Sequence, residues 1–406
     1  MNVTIRPGKA TGTVMAPPSK SMAHRMLICA GLADGVSVVE NIDLSEDIQA
    51  TLGILESLGA KCEFKDGKVI VTGIGSKVLW TDQTLDCRES GSTLRFFVPV
   101  VLSAGGKFVF GGAKRLLERP LGIYEAICGK QEIAFQKREC GLEVHGKLRA
   151  SFFEIPGNIS SQFVTGLLFA LPLLDGDSVL TVLPPVESKA YIDMTLEALQ
   201  TFGIEIRQEG MTFYIRGNQT YHSVNVAVEG DYSNAAFLEA LNLLGGNVSV
   251  LGLREPSLQG DQIYRKYYRK LEEENSVLDL AGCPDLGPIL MGMAAAKKGA
   301  SFTNTARLRL KESDRGQVMA EELAKFGVDV KVDENEIFVS GGKLKEPNKV
   351  LDSHNDHRIA MTLATLCTIT GGTIGGAESV RKSFPKYFEV MKHLGIQVAR
   401  EEETEE

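Results

Sequence analysis

The chain repeats one pattern about every seventy residues, and this repeat constrains the fold more than any other feature of the sequence. Glycine-rich turns that lead into short β-type runs begin at residues 34, 105, 176, 245, 298 and 371. Successive turns are therefore 71, 71, 69, 53 and 73 residues apart. Solenoid repeats are shorter, at about 20–50 residues. The spacing instead predicts a small α/β unit that occurs six times.

Two helices of different character are predicted in each unit. The first is amphipathic, as in the segment 45–58, where Ile48, Leu52 and Leu55 lie on one face at helical spacing. Four such helices end at an apolar residue followed by glycine, which adopts the left-handed conformation that stops a helix. These glycines are Gly59, Gly203, Gly327 and Gly395. Three of the four helices run into a predicted hairpin, at residues 61–73, 204–217 and 328–341.

The second helix of each unit is much more apolar and follows a loop of small polar residues. The six loops cover residues 17–25, 87–95, 156–163, 229–237, 282–288 and 353–358. Because a helix that is apolar on all sides is buried, each unit is expected to place one helix in a core. Three units then form one domain. This count assigns residues 1–17 with 229–406 to domain I and residues 18–228 to domain II, with the N-terminal strand completing domain I.

Composition excludes several classes of protein. The 406 residues, of which 43% are hydrophobic and 24% charged, are typical of a globular protein with two domains. The net charge of −8 does not indicate a nucleic-acid partner. No apolar run approaches the roughly 18 residues that cross a membrane. The seven cysteines form no CxxC pair and no apolar signal segment opens the chain, so we expect free thiols in a reducing cytoplasm.

Motifs for cofactors and metals are absent from the sequence. Neither a P-loop nor a GxGxxG dinucleotide motif occurs, so no cofactor is predicted. His354 and His357 have an HxxH spacing, but no third histidine or cysteine lies nearby in the sequence. We therefore predict no metal site, and expect one of these histidines to hold its loop by hydrogen bonds.

Seven cations lie in or beside the small polar loops or the loops before the amphipathic helices. They are Lys20, Arg25, Arg119, Lys311, Arg315, Arg358 and Lys382. Helix N-termini expose unpaired N–H groups and a partial positive charge, and Arg and Lys side chains beside them favour anions further. For any single loop, helix capping is the simpler explanation of its small polar residues. Together the loops predict a strongly positive cleft that binds a substrate with several negative charges.

Two carboxylates, Asp285 and Glu312, lie among these cations. Asp285 precedes an apolar helix, and Glu312 follows Lys311 just before a predicted N-cap at Ser313. Carboxylates in a cationic cleft are candidates for a general acid and a general base. For Glu312 alone, a structural ion pair with Arg315 is an equally good explanation.

Nine segments of the chain, taken in order, resemble the 5-enolpyruvylshikimate-3-phosphate synthase family. They are PPSKSMAHR, ESGSTLR, ERPLG, GNISSQF, VESKAYID, EGDYSNAAF, LKESDRG, NDHRIAM and KSFPKYF, and they run from residue 17 to residue 388. The resemblance implies a two-domain inside-out α/β barrel of six βαβαββ units, three per domain, with the active site in the cleft between the domains. It also implies that the 5-hydroxyl of shikimate 3-phosphate attacks C2 of phosphoenolpyruvate while C3 is protonated, and that the adduct then loses phosphate.

The resemblance also implies a role for each site residue. The implied ligands of shikimate 3-phosphate are Ser21, Arg25, Ser160, Ser161, Gln162, Ser188, Tyr191, Asp285 and Lys311. The implied ligands of phosphoenolpyruvate are Lys20, Gly91, Arg119, Gln162, Arg315, Arg358 and Lys382. Asp285 would accept the hydroxyl proton and Glu312 would protonate C3, while Lys20 and Lys311 stabilise developing charge. No cofactor, metal, nucleic acid or membrane is implied, and we expect a monomer that acts in aromatic amino acid biosynthesis.

Three positions affect the expected fine detail of the site. Glu89 stands where the family usually has asparagine, and Arg307 stands where it usually has a polar residue. Both changes place charge near a bound anion. Glycine rather than alanine at Gly91 predicts sensitivity to glyphosate, which would occupy the phosphoenolpyruvate pocket.

Two alternatives remain open at this stage. The UDP-N-acetylglucosamine enolpyruvyl transferases share the implied fold and chemistry, but they use a reactive cysteine in a region where this chain has Arg119. The nearest cysteine here is Cys128. The second alternative is a catalytically inactive scaffold that binds a phosphorylated ligand. Such a scaffold would be expected to lack Lys20, Asp285 or Glu312, and all three are present.

Overall fold

A computed structural model of the chain describes residues 1–75, 81–139 and 141–401. The chain divides into two compact units. The central unit is Pro18–Glu229, and the terminal unit combines Met1–Pro17 with Gly230–Glu406. This division differs from the predicted one only in the assignment of residue 229.

Buried and amphipathic helices alternate along the described residues. The α-helices are α1 (Lys20–Leu32), α2 (Glu46–Ser57), α3 (Gly91–Ala104), α4 (Lys114–Glu118), α5 (Gly122–Lys130), α6 (Ser161–Ala170), α7 (Lys189–Thr201), α8 (Tyr232–Leu243), α9 (Tyr264–Lys270), α10 (Gly287–Ala296), α11 (Arg315–Lys325), α12 (His357–Thr370) and α13 (Tyr387–His393). Short 3₁₀ helices cover Leu171–Leu173, Gly260–Ile263, Pro284–Leu286, Ala306–Leu310 and Ala377–Lys382.

The strands are short and mostly expose one face. They are β1 (Asn2–Ile5), β2 (Thr11–Met15), β3 (Val36–Glu40), β4 (Lys61–Lys65), β5 (Lys68–Thr72), β6 (Thr84–Asp86), β7 (Gly106–Gly111), β8 (Ala134–Arg138), β9 (Gly141–Gly146), β10 (Phe152–Pro156), β11 (Ser178–Leu183), β12 (Ile206–Glu209), β13 (Thr212–Ile215), β14 (Asn225–Ala227), β15 (Asn247–Leu251), β16 (Val277–Asp279), β17 (Gly299–Thr303), β18 (Val330–Val332), β19 (Glu336–Ser340), β20 (Leu351–Asp352), β21 (Gly372–Gly375) and β22 (Val398–Glu401). In β11 and β19, burial alternates residue by residue because successive side chains of a strand point to opposite faces.

Four sheets share one strand order, which is the structural form of the sequence repeat. The orders are β14-β3-β5-β4, β6-β7-β9-β8, β10-β11-β13-β12 and β16-β17-β19-β18. In the second sheet, β6 and β7 pair in parallel, and β9 pairs antiparallel with β7 and β8. A parallel pair needs a crossover connection, which α3 supplies. The resulting order β6-α3-β7-α5-β8-β9 is the βαβαββ unit.

The remaining two sheets lie in the terminal unit and include the N-terminal strands. Their orders are β20-β21-β1-β22 and β15-β2. The N-terminal strand β1 pairs antiparallel with β21 and β22. Strand β2 precedes α1 in sequence but pairs with β15, whereas β14 precedes α8 but pairs with β3. The chain therefore exchanges one strand each time it passes from one unit to the other.

Three buried helices form the core of each unit. They are α1, α3 and α6 in the central unit and α8, α10 and α12 in the terminal unit. The ring of Phe96 on α3 contacts His24 on α1 and Phe169 on α6, with centroids 6.3 and 5.7 Å away. The sheets and amphipathic helices pack around these cores. The predicted α/β class with six repeated units is confirmed.

Side-chain caps begin five of the six buried helices. The capping residues are Ser19, Ser90, Ser160, Asp231 and Asp356, whose side chains accept hydrogen bonds from backbone N–H groups of the first turn. The predicted small polar loops are thus capping loops, because short side chains that carry an oxygen atom suit the first position of a helix. The exception is α10, which follows the 3₁₀ helix Pro284–Leu286 and has no side-chain cap.

The predicted helix ends and hairpins are also confirmed. Glycines 59, 203, 327 and 395 have φ values of +106°, +82°, +80° and +88°, so each is the left-handed residue that ends its helix. The predicted hairpins are β4-β5, β12-β13 and β18-β19. Strands β8 and β9 form a further hairpin that the sequence pattern did not predict. None of the helices in the described residues is long and apolar enough to cross a membrane.

Candidate active site

The terminal unit brings five predicted site residues into one ion-pair network. Asp285 lies just before α10, and Lys311 and Glu312 lie between the 3₁₀ helix Ala306–Leu310 and α11. Arg315 begins α11, and Arg358 lies in the first turn of α12. Asp285 Oδ1 is 3.0 Å from Lys311 Nζ and 2.8 Å from Arg315 Nη1. Its Oδ2 is 3.5 Å from Arg358 Nη2. Three cations therefore meet on one carboxylate.

Arg315 connects three carboxylates through its guanidinium group, and only 1% of its side chain is exposed. Besides Asp285, its Nη2 binds Glu312 Oε2 at 2.8 Å. Its Nε binds Asp356 Oδ2 at 2.8 Å, and Nη2 binds Asp356 Oδ1 at 3.2 Å. The planar fork of arginine suits such paired contacts. The Glu312–Arg315 ion pair weighed in the sequence is therefore present, and it is part of a larger network.

Charge in this network shifts the proton affinity of two groups. Burial opposes ionisation of Asp285, but Lys311, Arg358 and Arg315 outweigh it and hold the pKa of Asp285 well below its usual range. Burial, with Arg315 and Arg307 beside it, lowers the pKa of Lys311 in spite of Asp285. The carboxylate is thus strongly stabilised in its ionised form, and the lysine gives up its proton more readily than an exposed lysine.

The start of α11 differs from the prediction by one residue. The predicted N-cap was Ser313, but Asp314 is the cap, since its side chain accepts a hydrogen bond from the backbone N–H of Gln317 at 3.3 Å. Ser313 instead donates its hydroxyl to Asp356 Oδ2 at 3.1 Å. The hydroxyl of Ser313 therefore binds Asp356, which is distant in sequence, and does not cap the helix as the local sequence predicted.

Lys382 and Arg307 are two further buried cations of the terminal unit. Lys382, at the end of the 3₁₀ helix Ala377–Lys382, is 4% exposed and donates to the backbone oxygen of Asn355 at 2.5 Å. Arg307 is 8% exposed, and its Nη1 donates to the backbone oxygen of Ala281 at 3.4 Å. Arg307 acts on Lys311 through its charge, so this departure from the family pattern lies beside a predicted site residue.

Lys20 and Asp47 form the main ion pair of the predicted site in the central unit. Lys20 begins α1 directly after the cap Ser19, and Asp47 lies in the first turn of α2. Lys20 Nζ is 2.7 Å from Asp47 Oδ2, and both side chains are mostly buried. An ion pair shielded from water is stronger than one at the surface. Asp47 thus fixes the ammonium group of Lys20.

Arg25 is held by four hydrogen bonds and is 2% exposed. Its guanidinium group donates to Thr195 Oγ1 at 2.9 Å, to the backbone oxygens of Ser21 and Tyr191 at 2.6 and 2.9 Å, and to Thr165 Oγ1 at 3.3 Å. Burial lowers the pKa of Arg25 to about 10. The side chain is therefore rigid and poorly solvated, which favours a nearby anion.

Gly91 and Arg119 approach each other closely. A Cβ atom at position 91 would lie 2.6 Å from Arg119 Nη1 and 3.0 Å from its Cζ. Gly91 is the first residue of α3, directly after the cap Ser90, so the guanidinium group lies against a helix N-terminus. Both features favour an anion at the same place. Glu89, two residues earlier, is half-buried.

Gln162 is positioned by an arginine that the sequence did not single out. Arg95 Nη1 donates to Gln162 Oε1 at 2.6 Å, and Arg95 Nη2 donates to the backbone oxygen of Pro120 at 3.2 Å. The Arg95 guanidinium also lies 5.1 Å from the ring centre of Phe163. Gln162 Nε2 donates to Ser92 Oγ at 2.9 Å. Arg95 therefore links the Gln162 side chain to the backbone beside Arg119.

The remaining predicted ligands lie at the starts of central-unit helices. Ser160 caps α6 and is followed by Ser161 and Gln162. Ser188 precedes α7 in the left-handed conformation with φ of 55°, and its side chain is not the helix cap. Tyr191 lies in the first turn of α7, with its ring centre 5.9 Å from the Arg25 guanidinium.

Carboxylates offset part of the positive charge of the predicted site residues. Lys20 pairs with Asp47, Lys311 and Arg358 pair with Asp285, and Arg315 pairs with Asp285, Glu312 and Asp356. Two of these partners, Asp47 and Asp356, were not predicted. Asp356 is fully buried within the quoted segment NDHRIAM, whereas Asp47 lies in an ordinary first helical turn that carries no signal.

The cysteines among the described residues form no disulfide and are poor nucleophiles. Burial raises the pKa of the Cys128 thiol to about 11 and that of Cys62 to about 12. The other described cysteines are fully buried, and their pKa values are also raised. Only a thiolate is strongly nucleophilic, so Cys128 does not fit the reactive cysteine of the sugar-nucleotide enzymes. Cys140 lies outside the described residues.

No group of three or more acidic, histidine or cysteine side chains within the described residues is arranged to hold a metal ion. His354, one member of the HxxH spacing, lies 3.0 Å from Glu322 Oε1 through its Nε2. This contact attaches the loop before α12 to helix α11.

Known proteins resemble this chain over nearly its whole length. The family model for EPSP synthase (3-phosphoshikimate 1-carboxyvinyltransferase) matches residues 5–391. The chain belongs to the EPSP synthase family. The resemblance carried by the nine sequence segments is therefore confirmed. The matched range includes all of the site residues described above, in the central unit and in the terminal unit.

Individual members of the EPSP synthase family agree with this assignment. The 3-phosphoshikimate 1-carboxyvinyltransferase of Clostridium beijerinckii is 42% identical and aligns over 97% of this chain and 97% of its own length. That of Clostridium kluyveri is 41% identical, with 98% of each chain covered. A solved structure of EPSP synthase from Acinetobacter baumannii has a TM-score of 0.77 at 25% identity and covers 98% of this chain and 100% of its own.

Proposed function

We propose that this chain transfers the enolpyruvyl group of phosphoenolpyruvate to the 5-hydroxyl of shikimate 3-phosphate, the 3-phosphoshikimate 1-carboxyvinyltransferase reaction of the shikimate pathway. Membership of the EPSP synthase family over residues 5–391 carries this proposal. The chemistry of the site supports it, since two carboxylates lie among cations that suit a substrate with phosphate and carboxylate groups. No cofactor is required for the reaction.

Five of the cations are assigned to phosphoenolpyruvate, whereas Arg25, Lys311 and the hydroxyl-rich helix starts are assigned to shikimate 3-phosphate. The proposed phosphoenolpyruvate ligands are Lys20, Gly91, Arg119, Gln162, Arg315, Arg358 and Lys382. The proposed shikimate 3-phosphate ligands are Ser21, Arg25, Ser160, Ser161, Gln162, Ser188, Tyr191, Asp285 and Lys311. The Arg95–Gln162 hydrogen bond and the Arg25 network support these roles, because both fix donors before substrate arrives.

The ion pairs of Arg315 suggest how substrate prepares the two catalytic carboxylates. Arg315 binds the carboxylates of both Asp285 and Glu312. A substrate carboxylate that binds Arg315 and Arg358 takes part of that positive charge away. The pKa of Asp285, which these cations and Lys311 hold well below its usual range, then rises. Asp285 becomes a better acceptor for the proton of the 5-hydroxyl, and Glu312 is released from its ion pair to deliver a proton to C3.

The bond changes of the proposed reaction balance as follows. Glu312 protonates C3 of phosphoenolpyruvate, the hydroxyl oxygen bonds to C2, and Asp285 takes the hydroxyl proton. Fixed cations, including Lys20 and Lys311, stabilise the charge that develops. In the elimination the C2–O bond to phosphate breaks and the C2–C3 double bond forms again, while Glu312 takes back one proton from the new methyl group and Asp285 gives its proton to the leaving phosphate. Turnover in D₂O should therefore place deuterium in the vinyl group of the product, and a product without deuterium would contradict this addition and elimination.

Replacing Gly91 with alanine should weaken phosphoenolpyruvate binding more than it slows turnover. The methyl group would meet Arg119 Nη1 at 2.6 Å, and the flexible guanidinium group will move rather than the backbone. Loss of one charge-assisted hydrogen bond corresponds to an increase in KM of about 10–100-fold. Steady-state kinetics measure this change. Gly122→Ala is the control, because a Cβ there has no neighbour within 4 Å. An unchanged KM in G91A would show that Arg119 does not bind phosphoenolpyruvate.

Glyphosate is expected to inhibit the unmodified chain in competition with phosphoenolpyruvate. Because Gly91 has no side chain, Arg119 can lie against the start of α3. Glyphosate is a small anion that can occupy this place instead of phosphoenolpyruvate. Initial rates at several concentrations of both compounds test this prediction. Inhibition that phosphoenolpyruvate does not relieve would count against it and would direct attention to Glu89.

We also propose that the chain works in the cytoplasm as a monomer, with its two small substrates as its only required partners. The free thiols of the described cysteines support a reducing compartment. The alternative sugar-nucleotide activity is not favoured, because Cys128 is buried and its thiol is protonated at neutral pH.

A further inference from the structure

Asp261 is a buried carboxyl group of the terminal unit that the proposed reaction does not use. It lies in the 3₁₀ helix Gly260–Ile263 and is 2% exposed. Its Oδ2 accepts a hydrogen bond from Ser233 Oγ near the start of α8. Its Oδ1 is buried and has no hydrogen-bond partner among the described residues. A buried carboxylate oxygen without a partner is costly, so this position needs an explanation.

The surroundings of Asp261 connect it to the proposed base. The 3₁₀ helix Gly260–Ile263 packs on α8, and α8 also packs on α12 and on the 3₁₀ helix that carries Asp285. The charges that act on Asp261 are those of Asp285, Arg358 and Asp231. It acts in turn on the Cys283 thiol. Helix α9, which also packs against this segment, contributes Tyr264, whose charged neighbours are Glu239 and Arg265.

We propose that Asp261 is a positioning residue for Asp285: it competes with Asp285 for the positive charge of Arg358, and its ionisation makes Asp285 a stronger proton acceptor. This inference rests on the proposed role of Asp285 as the base. Burial, together with Asp285 and Asp231, raises the pKa of Asp261 to about 7 against the opposing effects of Arg358 and Ser233. Asp261 therefore changes charge near neutral pH, unlike an exposed aspartate.

The test compares the wild-type chain with Asp261→Asn and Ser233→Ala across pH 5 to 8.5. Asparagine keeps the shape of the neutral acid but cannot ionise. Phosphate groups of the substrates also titrate near pH 6, so the readout is the ratio of wild-type to variant kcat. The ratio for D261N should be close to one at low pH and should rise to about threefold or more at pH 8.5. The Ser233 hydrogen bond lowers the pKa of Asp261. Its loss in S233A should therefore raise that pKa and move the rise in kcat to higher pH.

Thermal unfolding without substrates gives a second readout that does not depend on the reaction. A carboxyl group whose pKa is raised by folding stabilises the folded state fully at low pH, and this contribution is lost as pH rises through about 7. The Tm of D261N minus the Tm of the wild-type chain should therefore increase from pH 5 to pH 8. S233A keeps the test open if D261N does not fold.

Each result decides the matter. A pH-dependent ratio together with the Tm shift supports the inference. A Tm shift with a constant kcat ratio overturns it, because Asp261 then titrates without acting on Asp285. If the Tm values of D261N and of the wild-type chain differ by a constant amount from pH 5 to pH 8, Asp261 does not titrate in this range and the inference is overturned as well. If the wild-type chain shows no turnover at all, the proposed function fails, and the unfolding curves still report whether Asp261 titrates.

Discussion

Glu312→Gln is expected to lower kcat by about 10²–10⁴-fold, the usual worth of a positioned general acid. Glutamine preserves the size of the side chain and can still contact Arg315, which Glu312 binds at 2.8 Å. It has no proton to give to C3 of phosphoenolpyruvate. Proton delivery acts in the transition state, so the dissociation constants of both substrates should change far less than kcat.

The measurement is single-turnover kinetics together with equilibrium binding of each substrate. Glu321→Gln is the matched control, because Glu321 is an exposed glutamate on α11, the helix that follows Glu312, where Gln317 contacts it. That variant should behave like the wild-type chain. Weak substrate binding with normal turnover in E312Q would contradict the acid role and would leave Glu312 as a structural partner of Arg315.

Arg315→Met should both abolish turnover and destabilise the terminal unit by about 3–5 kcal/mol, the cost of breaking a buried ion pair. Methionine removes the guanidinium group that Asp285, Glu312 and Asp356 share; Asp285 keeps its contacts with Lys311 and Arg358, but Asp356 is fully buried. These three carboxylates then repel one another.

Urea unfolding at neutral pH measures this loss of stability. Arg309→Met is the control, since Arg309 is an exposed arginine whose Nη2 donates to backbone oxygens. The R309M substitution should change the free energy of unfolding very little. Equal stability of R315M and the wild-type chain at neutral pH would show that the carboxylates do not depend on Arg315, and the proposed preparation of Asp285 and Glu312 by substrate would fail with it.

Local chemistry explains which parts of the fold could be predicted from the sequence. The helix ends at Gly59 and Gly327 follow from the freedom of glycine to adopt positive φ, and the polar loops follow from the need of helix N-termini for caps. These preferences depend on neighbours in sequence. The repeat then made the number of units readable, because each unit uses the same local signals.

Long-range contacts explain what was missed in the site. Asp47 is 27 residues from Lys20, and Asp356 is 41 residues from Arg315, so no sequence window contains both partners. Ser313 shows the same effect at one position, since Asp356 takes its hydroxyl and Asp314 becomes the cap. The cations were predicted as a class, but their pairing depends on which helices pack together, and that is set by the tertiary structure.

The central claim is the identity of the acceptor substrate, and phosphate release tests it most directly. The purified chain is incubated with phosphoenolpyruvate and either shikimate 3-phosphate or UDP-N-acetylglucosamine, with E312Q as the control for contaminating phosphatase. Release of phosphate with shikimate 3-phosphate alone is the predicted result. Release with the sugar nucleotide alone would contradict the substrate assignment, and no release with either acceptor from folded protein would contradict the enzymatic function itself.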